Sequence, residues 1–246
     1  MNRELKAKKF NNIAKQNILT EHELNSLSYK LAIEIDKRTF FQYYWSLLKK
    51  KNLILFTFLP AKDYNLITIK LSLFLISISL YFTMNGFFFN DETMHKIYED
   101  NGAFNLIDQI AQILYSTVIM IVINTILKLV SLSERKILDI KKIKVMSKAI
   151  QESKVINRCI KIQFIIFFIL STLLLFFSWY FISCFCIVYN NTQTILITDT
   201  LISLGLSMIY PFGLSFLPGI FRIPALRAKN KDKLILYQIS LLIALI

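Results

Sequence analysis

Residues 162–198 read IQFIIFFILSTLLLFFSWYFISCFCIVYNNTQTILIT, a run without a single Asp, Glu, Lys or Arg. Crossing the ~30 Å hydrocarbon core of a bilayer takes about 20 apolar helical residues, and this run exceeds that. Three further charge-free apolar stretches, 71–90, 109–127 and 200–221, are each near or above the ~18-residue threshold. Four such stretches exclude a water-soluble globular fold. Disorder is excluded too, because polar low-complexity tracts are missing, and three cysteines are too few for a disulfide-stapled secreted domain. The fold class predicted is all-α, an integral membrane bundle of four helices over about 66–89, 109–132, 162–189 and 200–221.

Over 246 residues the formal net charge is +13, from 29 Lys and Arg against 16 Asp and Glu. The basic residues are not spread evenly. Residues 1–64 hold twelve of them against six acids, 133–161 nine against three, and 222–234 five against one. The connection at 90–108 has only Lys96 among five acids, and 190–198 has no basic residue at all. Cytoplasmic loops retain Lys and Arg, so this alternation predicts both termini and the 133–161 loop in the cytoplasm. Lys70 and Lys128 then lie at the cytoplasmic ends of spans 1 and 2, where a long stem can run along lipid toward the headgroups. Attraction of these segments to anionic lipids explains the excess without nucleic acid.

The 1–64 segment has two parts. Leu24, Leu27, Leu31 and Ile35 recur at helical spacing, which predicts an amphipathic helix resting on another surface. Residues 40–59 combine Phe40, Phe41, Tyr43, Tyr44 and Trp45 with Lys49, Lys50 and Lys51, a mixture suited to the headgroup layer. This part is read as an interfacial pre-helix, ended by Pro60. No cleavable signal peptide is visible, so span 1 is expected to act as a signal-anchor. After span 1, an acidic outer loop carries His95, and Asn101-Gly102 supplies a turn. The pattern of span 2 continues past 132, which predicts an extended helical hairpin joining spans 2 and 3. At the C-terminal end, 227–246 is read as a cytoplasmic tail whose apolar stretch from Leu234 is too short to cross.

Span 4 carries Gly205, Pro211, Gly213, Pro218, Gly219 and Pro224. Each proline removes a backbone donor and crowds the preceding turn, so a kinked or broken helix is expected, packed centrally where neighbours satisfy the freed groups. A pore-lining role for Gly205, Pro211, Gly213 and Pro218, with Asn124 on span 2, is the sharper reading. A structural kink, and for Asn124 an interhelical hydrogen bond beside Lys128, is the reading preferred. Asn85-Gly86 is read as the outer end of span 1 rather than a break.

No Asp, Glu, Arg or His falls in the middle of a span, which speaks against a proton relay, a voltage sensor or a charged substrate site. His22 and His95 fall on opposite sides and share no metal. Cys184 and Cys186 point about 200° apart on a helix and do not pair. Cys159, flanked by Arg158 and Lys161, is a palmitoylation candidate, and Asn190 opens the sequon Asn190-Asn191-Thr192 in the second outer loop. Hydrolase, metalloprotease, P-loop and dinucleotide motifs are absent. Neither enzymatic activity nor a cofactor is therefore expected.

Several segments form a set: FNDETMHKIY from Phe89, LSE from Leu132, FCIVYNNTQ from Phe185 and YPFG from Tyr210. They resemble the C-terminal multi-span region of large, functionally uncharacterised transmembrane proteins of protozoa, over roughly 40–246. The resemblance implies spans that follow a long ectodomain, with no activity attached. Without that ectodomain, the chain is read as a stand-alone relative, a fragment or a gene-model product. The functional expectation is a structural or anchoring membrane region without catalytic activity. Its partners are the bilayer, anionic lipids at the cytoplasmic face, and a homo-oligomer or other membrane proteins. The alternative is a subunit of an oligomeric channel or transporter lined by the fourth span.

Overall fold

In the computed structural model, the residues described are 18–99, 106–141, 143, 145–190, 192–228 and 233–245. The turn predicted at Asn101-Gly102, and Asn191 of the sequon, lie outside them. The fold is all-α, and no strand occurs among the described residues. In chain order the helices are α1 Glu21–Asn25, α2 Tyr29–Ile35, α3 Phe40–Lys51, α4 Leu53–Phe58, α5 Ile67–Phe87, α6 Asp91–Glu99, α7 Leu106–Ser131, α8 Glu134–Lys141, α9 Met146–Val188, α10 Gln193–Arg227 and α11 Leu234–Leu245. Four are long and apolar enough to cross a membrane: α5, α7 from Gln109, α9 and α10.

The chain forms two compact units, Asn65–Ile209 and Met1–Tyr64 with Tyr210–Ile246. In the first, α5 packs most extensively, against both α7 and α9. Half of its apolar window is buried, against 22% for α10 and 11% for α9. The central helix is therefore span 1 and not, as expected, span 4. The reason lies in side-chain size. Ser77, Ser79, Thr83 and Gly86 let other helices come close to α5, and the three hydroxyls return hydrogen bonds to carbonyls four residues back. At Gly86 an added Cβ would lie 2.9 Å from Phe181, whose ring stacks on Phe87 at 4.3 Å between centroids. Phe89, Ile97, Phe185, Ile195 and Leu196 close this end of the unit.

Helix α10 is not broken: it runs from Gln193 to Arg227 through Pro211, Pro218 and Pro224. Each proline removes only one backbone bond, and the turns on either side keep theirs. Helix α9 begins at Met146, sixteen residues ahead of the predicted span, which agrees in part with an extended helical connection. It is preceded by the short helix α8 and so is not continuous with α7. In place of an acidic loop, Asp91–Glu99 is a helix, with Asp91 and Glu92 at its positive end and Lys96 at its negative end.

In the second unit the expected single amphipathic helix is divided. A capping box, Thr20 with Glu23, starts α1; Ser26 ends it, and Ser28 leads into α2. The division changes the buried face: Leu24, Ala32 and Ile35 are buried, whereas Leu31 is exposed. The predicted pre-helix is likewise two helices, because Asn52 ends α3 and its side chain accepts from Leu55 to begin α4. Helix α3 packs along the last turns of α10, with Phe40 edge-on to Phe216 at 5.0 Å and Tyr43 and Leu47 clustered with Ile223. Pro211 and Pro218, two turns apart, are both buried on α10. The tail helix α11 belongs to this core through Tyr237, which packs with Ala32 and Ala225.

Candidate functional site

Polar residues recur in α7 at Gln109, Gln112 and Ser116, spaced i, i+3 and i+7, and in α10 at Asp199 and Ser203, spaced i and i+4. Such spacing puts each set on one helical face. The two faces meet inside the first unit. The Gln112 Nε2 donates to Asp199 Oδ2 at 3.0 Å, and both residues are buried. One turn along, Asn85 of α5 is fully buried, and its Oδ1 accepts from Ser116 at 2.8 Å and from Ser203 at 3.0 Å. The two serine hydroxyls are themselves 3.0 Å apart, and Asn85 Nδ2 donates to Tyr81 O. Farther along, Ser77 donates to Asn124 Oδ1 at 2.5 Å. A polar seam thus runs through an otherwise apolar bundle.

The seam is satisfied around Asn85 and not around Asp199. Asp199 Oδ1, Gln112 Oε1, Gln109 Oε1 and Thr200 Oγ1 are buried, and none has a hydrogen-bond partner among the described residues. In a medium of low dielectric, oxygens without donors are costly, a carboxylate oxygen above all. Asp199 occupies this position because α10 starts at Gln193, seven residues earlier than the predicted span. The turn before it is tied by Thr192 Oγ1 to Tyr189 O and by Gln193 Nε2 to Cys186 O. The sequence reading has Asp199 between an outer connection ending at 198 and a span beginning at 200; the structure sets it on α10, less than two turns from that helix's start.

A second buried polar centre lies in the other unit. Arg222 is fully buried; it donates to Asp36 Oδ2 at 2.9 Å, to Leu24 O at 2.7 Å and to Asn25 O at 3.2 Å. Arg38 forms a fork on the same carboxylate, with two contacts at 2.8 Å, and reaches Asn25 Oδ1 at 2.9 Å. The guanidinium carbon of Arg222 sits 4.9 Å from the Tyr43 ring centre and 4.8 Å from that of Tyr237. Burial alone would raise the Asp36 pKa, but the hydrogen bond from Arg38 and the charges of Arg38 and Arg222 outweigh it and hold the carboxyl below its ordinary 3.8. Burial pushes the Tyr43 hydroxyl up, against the same two cations. With both guanidinium groups engaged, this centre acts as a clasp, while the buried Tyr43 hydroxyl has no hydrogen-bond partner among the described residues.

Asn124 is half-buried and makes the preferred interhelical hydrogen bond. It and Gly205 belong to the first unit, whereas Pro211, Gly213 and Pro218 belong to the second. Nothing lies within 4 Å of a Cβ added at Gly205 or Gly213. Asn190 and Cys159 are exposed. Lys70 is buried, not laid along an outer surface. All three cysteines are free, and among the described residues no three His, Cys, Asp or Glu converge on a metal.

Sequence reasoning missed Asp199, Gln112 and Arg222, and read Asn85 only as the end of a span, not as the acceptor that joins three helices. The i, i+3, i+7 spacing of Gln109, Gln112 and Ser116 was the available signal. No known protein family, curated protein or solved structure matches the chain.

Proposed function

We propose that this chain is a non-catalytic integral membrane protein that anchors, through four spans, a basic module at the cytoplasmic face. The observation supporting the reading is α9, whose apolar window is only 11% buried. Its Ile165, Ile169, Leu173 and Phe176 project outward over several turns, a surface that lipid covers at no cost and water does not. The side with most Lys and Arg is cytoplasmic, as retained basic residues dictate. Lys148, Lys154, Arg158 and Lys161, on the first turns of α9, are all exposed, and each is worth ~1 kcal/mol toward an anionic lipid surface.

The experiment is recording from the purified chain in planar bilayers, with cysteines at Ser147 and Glu92 reporting sidedness. Anchoring predicts no selective conductance and cytoplasmic labelling at Ser147. Reproducible unitary currents altered by Pro211→Ala would overturn it. One observation favours the second reading, a subunit of an oligomeric channel or transporter: the seam from Asp199 to Asn124 is hydrophilic along an otherwise apolar bundle, and its Asp199 end has unpartnered oxygens.

A further inference from the structure

The unsatisfied end of the seam has the composition of a ligand site. Its free atoms are all oxygens: a carboxylate oxygen of Asp199, the amide oxygens of Gln112 and Gln109, and the hydroxyl of Thr200 next to Asp199 in the chain. The one donor spent on the carboxylate is the Gln112 amide, and that amide's own oxygen is left unpaired. Because Gln109 lies three residues before Gln112, its side chain shares that face of α7. Every one of these residues is at least nine-tenths buried, and Asp199 is wholly so.

A proton on Asp199 would cancel the charge but make only one hydrogen bond, to one amide oxygen, and leave the other amide oxygen without a partner. A hard cation is satisfied by several oxygens at once. Charge decides the valence. One carboxylate neutralises one positive charge, so a divalent ion would leave an uncompensated charge in a medium that penalises it heavily. Thioether, thiol and imidazole ligands, which select softer metals, do not enter the set.

We propose that Asp199, Gln112 and Gln109 form a buried binding site for a small monovalent cation of the sodium class. The site requires no transport: a resident ion that locks α7 to α10 satisfies the same atoms as one that passes.

The test is binding of radiolabelled sodium to the purified full chain in detergent at neutral pH, alongside thermal unfolding in sodium chloride and in choline chloride at equal ionic strength. The expected result is saturable sodium binding and an unfolding temperature raised by roughly 5–10 °C at a hundredfold excess over the dissociation constant. Asp199→Asn keeps the shape and removes the charge, and should abolish both. Should that variant not fold, Gln112→Met, of similar length but without donor or oxygen, should weaken sodium binding about tenfold or more. Equal behaviour in sodium and choline, a response to pH alone, or sodium binding retained in Asp199→Asn or unchanged in Gln112→Met would each overturn the proposal.

Discussion

Arg222 and Asp36, 186 positions apart in the chain, form an ion pair of 2.9 Å from which solvent is almost wholly excluded. Their surroundings hold two guanidinium groups and one carboxylate, so the partners are not equivalent. Asp36→Asn leaves Arg38 and Arg222 facing each other without a counter-charge, and breaking a buried pair in this way costs about 3–5 kcal/mol. Arg222→Met leaves the balanced pair Asp36–Arg38 and strands the carbonyls of Leu24 and Asn25, a loss of about 1–3 kcal/mol. Unfolding of the two variants in detergent should give that order. Hydrogen exchange over α1 and α2 should rise in both.

The same carboxyl sets a dependence on pH. Its folded pKa lies below 3.8, so the folded state favours the ionised form. The stability this contributes is complete above the unfolded value of about 3.9 and is lost as pH falls through the lower, folded value. Wild type and Asp36→Asn should therefore differ by a constant amount from neutral pH down to about 4 and converge below it. Melting curves across an acid series provide the check, and a gap that stays constant below the folded value would contradict the assignment.

In the seam, Asn85 joins α5 to both α7 and α10, whereas half-buried Asn124 accepts from Ser77 of α5. Asn85→Leu should cost about 1–3 kcal/mol, because it deprives two buried hydroxyls of an acceptor. Asn124→Leu should cost about 0.6 kcal/mol, the usual size of one interhelical bond in a membrane. Equilibrium unfolding in mixed micelles separates these values.

How far the sequence could be read follows from the range of the signals it contains. Charge-free runs are local, so 71–90 and 109–127 reproduce α5 and most of α7 closely. Helix ends depend on caps that composition hides: Thr20, Ser26 and Asn52 cut the N-terminal segment into pieces that a hydrophobic period alone runs together. Partners depend on distance in the chain. Arg222 was read as one of five cytoplasmic cations, and only the tertiary fold sets it against Asp36. Asp199 was lost for a simpler reason: a boundary placed at Thr200 excluded it by a single residue. The prolines suggested a break because each weakens its own turn, yet α10 loses only single bonds at well-separated points and stays helical.

Two glycines should respond in opposite ways to alanine. At Gly86 a new Cβ would come within 2.9 Å of Phe181, so that ring must move, and with it the stack on Phe87 and the contact with Phe185. Overpacking of this kind costs about 1–3 kcal/mol. At Gly205, inside α10, the space is open, and replacing glycine within a helix gains about 0.8–1 kcal/mol in intrinsic preference. Gly86→Ala should thus lower the unfolding temperature of the purified protein and Gly205→Ala should leave it unchanged or raise it. A destabilised Gly205→Ala would mean that another surface closes on α10 at that turn, as a second copy of the chain would, and cross-linking through a cysteine at Leu201, exposed one turn earlier, would then reveal the contact.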